Sequence, residues 1–139
     1  MELKRVYNKY FPFSGNKAMT VIPWIFIREK AKDRYTVKDD RHEHTHGYQQ
    51  LEMLIAGAVL TIALLILGFG WWSLLALPIF FELYLLEWII KAPFCGWDFS
   101  KSYRSISAEQ EAYEHEDEIG YNNVRKHFNW LKYVFTIKK

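Results

Sequence analysis

Cysteine is nearly absent. Cys95 is the only one in 139 residues, which excludes an intrachain disulfide framework and any Cys-rich zinc site. An excess of one charge is also missing. Lys and Arg number 18 against 16 Asp and Glu, and a formal net charge of +2 gives nucleic acid little electrostatic hold. No internal repeat or low-complexity tract interrupts the chain, and residues 1–20 lack the apolar core of a signal peptide. Residues 51–90 contain no Lys or Arg at all, and their only charged side chains are Glu52, Glu82 and Glu87.

What is present is strongly divided. Half the residues are hydrophobic and 18% are aromatic, so a disordered polymer is excluded. The mean hydropathy of −0.17 resembles that of a soluble protein, but it averages polar ends with an apolar middle. Met53–Leu67 is apolar around the whole circumference of a helix, with Thr61 as the exception. Gly68-Phe69-Gly70 breaks the run, and Trp71–Ile90 forms a second one. A span needs about 20 residues, so residues 53–72 and 71–90 predict a transmembrane helical hairpin. The expected fold class is a mainly α membrane protein in one domain, 1–139. Paired Trp71 and Trp72 suit an interfacial belt at the turn, and Pro78 predicts a kink. Arg28, Lys30, Lys32, Arg34, Lys38 and Arg41 precede the hairpin, and Lys91, Lys101 and Arg104 follow it. The positive-inside rule then puts both termini in the cytoplasm.

The flanks predict smaller elements. Thr20–Arg28 is rich in β-branched and aromatic residues, with Pro23 marking it as an edge strand, and Arg34–Lys38 is positioned to pair with it as a hairpin. Asp39-Asp40 offers an N-cap to the next helix. Ser107 and Gln110 match a capping box at the head of an acidic helix over 107–119. An amphipathic helix over 121–135 carries Val124, Phe128, Leu131 and Phe135 on one face. Its Lys126, His127, Trp130, Lys132, Tyr133, Lys138 and Lys139 suit an interfacial segment on anionic membrane lipid. Glu87 and Lys91 are spaced for an ion pair. Glu82, deep in the second run, is expected to face the protein and meet Arg104 or stay neutral.

Residues 42–46 read His-Glu-His-Thr-His. His42 and His46 are four apart, so on a helix both imidazoles reach one metal ion. Glu43 is turned about 100° from His42, placed to contact a metal-bound water. Two histidines need a third protein ligand if a position is to stay open for water. Candidates are His44, Glu52, Glu109, Glu111, Glu114, His115 and His127. The helix from Ser107 is the best source, because Glu109, Ala112 and Tyr113 share a side where a small residue permits close helix approach. Tyr113 and His115 are candidates to stabilise an oxyanion. Gln49, seven residues past His42, shares its face.

His42-Glu43-x-x-His46 followed by Glu109-x-x-Ala112-Tyr113 resembles the gluzincin metallopeptidase pattern. More narrowly, the chain is similar to short bacterial membrane proteins of minigluzincin type over roughly residues 20–135. The matching residues are His42, Glu43, His46, Gln49, Gln50 and Glu52, then Glu109, Glu111, Ala112 and Tyr113, then the basic-aromatic Phe128–Tyr133. The resemblance implies a zinc ion on His42, His46 and Glu109, with Glu43 as general base. It also implies a peptide or protein substrate and a site at the cytoplasmic face of a bacterial inner membrane. Ala108 replaces an aromatic residue of the pattern. Tyr113 stands where many such peptidases carry the Asp that orients a ligand histidine. The alternative is a non-catalytic membrane protein whose zinc site is structural or sensory and acts through partners.

Overall fold

The computed structural model describes residues 1–12 and 15–138, so Lys139 of the basic-aromatic cluster lies outside the described residues. The protein is mainly helical with one small sheet. Strands β1 (Lys4–Asn8), β2 (Ala18–Val21) and β3 (Trp24–Arg28) lie in the order β1-β3-β2, β1 parallel and β2 antiparallel to β3. Ile25 and Ile27 alternate onto one face of β3, where they are fully buried with Leu3 and Ala18. The expected single strand Thr20–Arg28 turns at Ile22-Pro23, and its halves pair with each other. The central strand is thus β3, the edge is β2, and the pairing partner proposed at Arg34–Lys38 is not a strand. Glu29–Arg34 winds into a 3-10 turn instead.

Helix α1 (Val37–Ile66) runs for 30 residues. Its N-cap is Thr36 and not Asp39-Asp40. The Asp39 N–H donates to Thr36 Oγ1 at 3.2 Å and the Thr36 N–H donates to the Asp39 carboxylate at 2.8 Å, a reciprocal capping box. This frees Asp40 to accept both Arg5 hydrogen bonds at 2.7 and 2.9 Å, and Asp39 to pair with Lys17 at 3.0 Å. The sheet is thereby tied to the first turn of α1.

Among the described residues, α1 is the one helix long and apolar enough to cross a membrane. The predicted second span does not form as one helix. A 3-10 segment, Gly70–Ala76, and helix α2 (Ile79–Lys91) meet at 66°. Proline has no N–H and its ring bars the preceding turn, so the kink expected at Pro78 becomes a full break, with Pro78 as N-cap of α2. The 3-10 segment folds back on α1, where Gly57 admits the Ala76 carbonyl; a Cβ at position 57 would stand 2.2 Å from that oxygen. Thr61 donates to the Gly57 carbonyl at 2.8 Å and hides its hydroxyl within the helix. Glu82 is exposed on α2 and does not face the protein as expected, and among the described residues no ion pair joins it to Arg104.

Burial is inverted relative to a water-soluble domain. Leu54, Ile55, Val59, Ile62, Leu85 and Ile89 are exposed, while His42, Gln49, Glu52, Lys91, Glu109 and Glu111 are buried. An exposed apolar surface of this extent marks an interaction face.

Helices α3 (Phe99–Arg104), α4 (Ser107–His115) and α5 (Tyr121–Val124) follow. The acidic helix ends at His115, four residues early. Its N-cap is Ile106, so Ser107 lies inside the first turn and the Ser107/Gln110 box cannot close. The Glu87 carboxylate of α2 caps this end from outside, accepting from the Ser107 N–H at 2.9 Å and its hydroxyl at 2.7 Å. Glu87 also meets Lys91 at 2.6 Å, as the spacing predicts. The expected helix 121–135 is broken. Past Val124 the chain leaves the helix at Arg125, Phe128 takes a left-handed φ of 55°, and a 3-10 segment covers Asn129–Tyr133. Arg125 is pulled inward, meeting Glu52 at 2.5 Å and Glu111 at 2.8 Å.

Two substitutions test this packing. Gly57→Ala forces α1 and the 3-10 segment apart and should cost about 1–3 kcal/mol, read as a lower midpoint of unfolding in detergent. Arg125→Met leaves Glu52 and Glu111 buried without a counter-charge and should cost about 3–5 kcal/mol; the double variant Arg125→Met/Glu111→Gln should recover part of that loss.

Candidate metal centre

The first three turns of α1 lie between β2 and α4. Ala108 and Ala112, at 4% and 0% exposure, form the α4 face against α1. These small side chains let the helices approach closely, which carries Glu109 to the histidines. His42, His46 and Glu109 are all buried, and one ligand atom from each lies within 4.8 Å of the others. His42 Nε2 is 3.1 Å from His46 Nε2. Glu109 Oε2 is 3.4 Å from His42 Nε2, and Oε1 is 3.2 Å from His46 Nε2.

The surroundings fix the tautomers. His46 Nδ1 faces Gln49 Oε1 at 2.8 Å. The Gln49 amide cannot be flipped, because its nitrogen donates to the Ala108 carbonyl at 3.0 Å and to Glu111 Oε2 at 2.8 Å, both acceptors only. His42 Nδ1 faces Glu116 Oε2 at 3.1 Å. Both Nδ1 atoms therefore carry hydrogen, and both neutral rings turn an Nε2 lone pair toward the same point. Two lone pairs and a carboxylate converge there only with a cation among them, whether protons on Nε2 or a metal ion.

Glu109 divides its two oxygens. Tyr84 of α2 and Tyr103 of α3 donate to Oε1 at 2.5 and 2.8 Å. Oε2 is buried with no hydrogen-bond partner among the described residues and is the oxygen left to a cation. Burial works to raise this carboxyl, but where protons and not a metal ion occupy the Nε2 atoms, the positive charge of His46 and His42 outweighs it and holds it well below the ordinary range. Burial and the Glu109 charge together push Tyr103 upward, keeping it a donor.

The expected lack of an orienting carboxylate is corrected. Tyr113 packs its ring against His42 with centroids 4.5 Å apart. The carboxylate comes from Glu116, one turn later. Burial favours raising Glu116, yet hydrogen bonds from His42 and Lys38 leave it below its usual value. Lys38 holds Glu116 at 3.0 Å. The sequence signal was available, since Glu116 is two turns past Glu109, but in an acidic run it reads as a solvated face.

Comparison with family models, with curated proteins and with solved structures finds no match. The chemistry of the centre is thus argued from its own geometry.

The remaining predicted residues separate clearly. Glu43 is buried beside the cluster, and the Thr20 hydroxyl is 2.8 Å from its Oε2 and 3.0 Å from its carbonyl. The Tyr113 hydroxyl has no hydrogen-bond partner among the described residues, and its ring borders a polar cleft with His42 and Glu43. Burial and the Glu109 charge raise Tyr113 to about 12, so it remains a donor at neutral pH. His115 is not brought to the centre. Its ring stacks on Tyr121 at 3.8 Å and its Nδ1 meets Glu118 at 2.9 Å. His44 also turns away, with Nδ1 2.8 Å from the Asp40 carbonyl. Sequence reading missed Tyr84, Tyr103 and Thr20. Tyr84 had one usable signal: a phenol within an apolar run needs a polar partner.

Replacing His42 or His46 by Ala should abolish metal binding. Glu116→Gln and Gln49→Leu, which disturb only the Nδ1 partners, should each weaken it roughly 10–100-fold. Competition with a chromophoric chelator measures both effects. Equal affinity in wild type and Glu116→Gln would refute the orienting role.

Proposed function

We propose that the protein is a membrane-associated zinc metallopeptidase, as the gluzincin-like motif suggests. The observation that carries this reading is the pairing of three convergent donors with a buried, non-ligating carboxylate, Glu43, on the adjacent helix position. Two imidazole nitrogens and one carboxylate oxygen suit zinc. Neither His44 nor His115 belongs to the group, and three protein donors leave a coordination position open, which favours chemistry over a purely structural site. When bound, zinc supplies Lewis acidity toward a water and a peptide carbonyl.

The chain's own groups do the rest. Thr20 holds Glu43 with its carboxylate at the cluster. Glu43 takes a proton from the attacking water, whose oxygen bonds to the carbonyl carbon. The Tyr113 hydroxyl donates toward the developing oxyanion. The C–N bond then breaks as Glu43 passes its proton to the leaving amine. Strand β2 supplies an edge for an extended substrate. Lys17 and Met19 direct their peptide groups at β3, as the 3.0 Å bond from Arg28 N–H to the Lys17 carbonyl fixes, so Ala18 and Thr20 face outward. Gln50 occupies the Thr20 carbonyl at 2.7 Å, leaving Ala18 to pair with a peptide.

The exposed apolar surface of α1 and α2 and the flanking Lys and Arg support insertion from the cytoplasmic side of a bacterial inner membrane, with the bent pair Gly70–Ala76 and Ile79–Lys91 returning the chain so that both termini lie in the cytoplasm. Carbonate washing should then leave the protein in the membrane fraction, and release into the wash would sink the assignment.

Glu43→Gln should keep its zinc and lose peptide cleavage by about 10²–10⁴-fold. Tyr113→Phe should lower kcat by about 10²-fold with zinc retained. Cleavage by Glu43→Gln at the wild-type rate and equal zinc occupancy would refute the assignment of the base.

A further inference from the structure

The candidate centre lies along the floor of a groove. Two concave regions adjoin it and share Asn16, Ala18, Glu43 and Tyr103. Glu43 is therefore at their junction, and one extended chain passing over it occupies both. The two ends differ sharply in chemistry. The smaller, of about 130 Å³, is walled by Met19, Phe80, Phe81 and Tyr84 on the side of His46 and Glu109. The larger, of about 400 Å³, is walled by Lys17, Lys38, Tyr113 and Glu116 on the side of His42. Its lysines are already paired, Lys17 with Asp39 and Lys38 with Glu116 and Asp117, so this end is polar without a demand for one charge.

Phe80 and Phe81 belong to the first turn of α2, whose Leu83, Leu85, Leu86, Ile89 and Ile90 are exposed. Phe81 is itself 37% exposed, so the apolar end of the groove is continuous with the apolar surface of the molecule. The polar end instead borders the charged first turn of α1. The break at Pro78 creates this arrangement. After the 66° bend a new helix starts beside the cluster, with Phe80 and Phe81 in its first turn.

We propose that the site takes a polypeptide at the boundary where an apolar segment gives way to a polar one. A large apolar side chain lies against Phe80 and Phe81 on one side of the scissile bond, and polar residues lie between Lys17 and Tyr113 on the other. This rests on the metallopeptidase reading and adds its substrate class: the stretch of a membrane-inserted chain that emerges from lipid. Phe80 and Phe81 are the specificity-determining residues, and Ala18 sets the register of the backbone between the two ends.

The test uses the full-length, zinc-loaded protein in phospholipid nanodiscs and three sets of quenched fluorescent peptides: all polar, all apolar, and with one apolar-to-polar boundary. Boundary peptides carrying Phe or Leu beside the junction should be cut with the highest kcat/KM, at bonds next to that residue. In Phe80→Ala/Phe81→Ala the ratio of kcat/KM for Phe-bearing over Ala-bearing boundary peptides should fall at least about tenfold, with zinc content intact. Phe80→Leu/Phe81→Leu keeps an apolar wall of different shape and should move the preference from Phe toward Leu, which guards against loss of folding in the Ala variant. Wild-type cleavage of polar peptides as fast as boundary peptides, or an unmoved ratio in both variants, overturns this inference and leaves the peptidase reading standing. Failure of the zinc-loaded wild type on every peptide overturns that reading, and this one with it.

Discussion

A carboxylate 2% exposed to its surroundings is reached by groups from three other helices. Glu109 of α4 meets His42 and His46 of α1, Tyr84 of α2 and Tyr103 of α3. Leaving such a charge unpaired costs several kcal/mol, so each of these helices has a position fixed by the same atom pair. The exposed apolar faces of α1 and α2 take no part in this positioning. Where apolar surface faces apolar surroundings, burying it between helices gains little, and packing of small residues and polar contacts decide the arrangement. Gly57 against the Ala76 carbonyl, Ala108 and Ala112 against α1, and the Glu87 cap on α4 are the devices that do so.

A second layer of polar contacts keeps the ligands from turning. Arg125 neutralises Glu111, Glu111 orients the Gln49 amide, and Gln49 fixes the His46 tautomer. Lys38 and Glu116 do the same for His42. Each histidine is thus tied to a charged pair, and the Nε2 atoms converge because their other nitrogens have nowhere else to point.

Much of the centre was legible because it is local. The spacing of His42, Glu43 and His46 on one helix is set by 3.6 residues per turn; small residues on one helix face favour Glu109 among several candidate third donors, and the resemblance to gluzincins singles it out. The parts that escaped depend on where elements meet. Glu116 looks like one of several solvated acids until α1 lies beside it, and Tyr84 looks like another aromatic in an apolar run until Glu109 reaches it. The same limit explains the fold. Apolar composition reveals a long α1 but not that Pro78 divides the second run, and residues 121–135 have helical periodicity that the pull of Glu52 and Glu111 on Arg125 overrides. His115 is of a residue type that can stabilise an oxyanion, yet stacking on Tyr121 takes it to another surface.

The clamp formed by Arg125 has a consequence for the order of events on the ribosome. Helix α1, with both histidines and Glu43, is synthesised early, while Glu109, Glu111 and Arg125 emerge only after both apolar runs. Until then the Gln49 amide has no carboxylate to fix it, His46 has no preferred tautomer, and the third donor does not exist. The candidate centre is completed only when residues 109–125 have been made, and a shorter nascent chain carries the His-Glu-x-x-His helix without its third donor or the groups that orient Gln49.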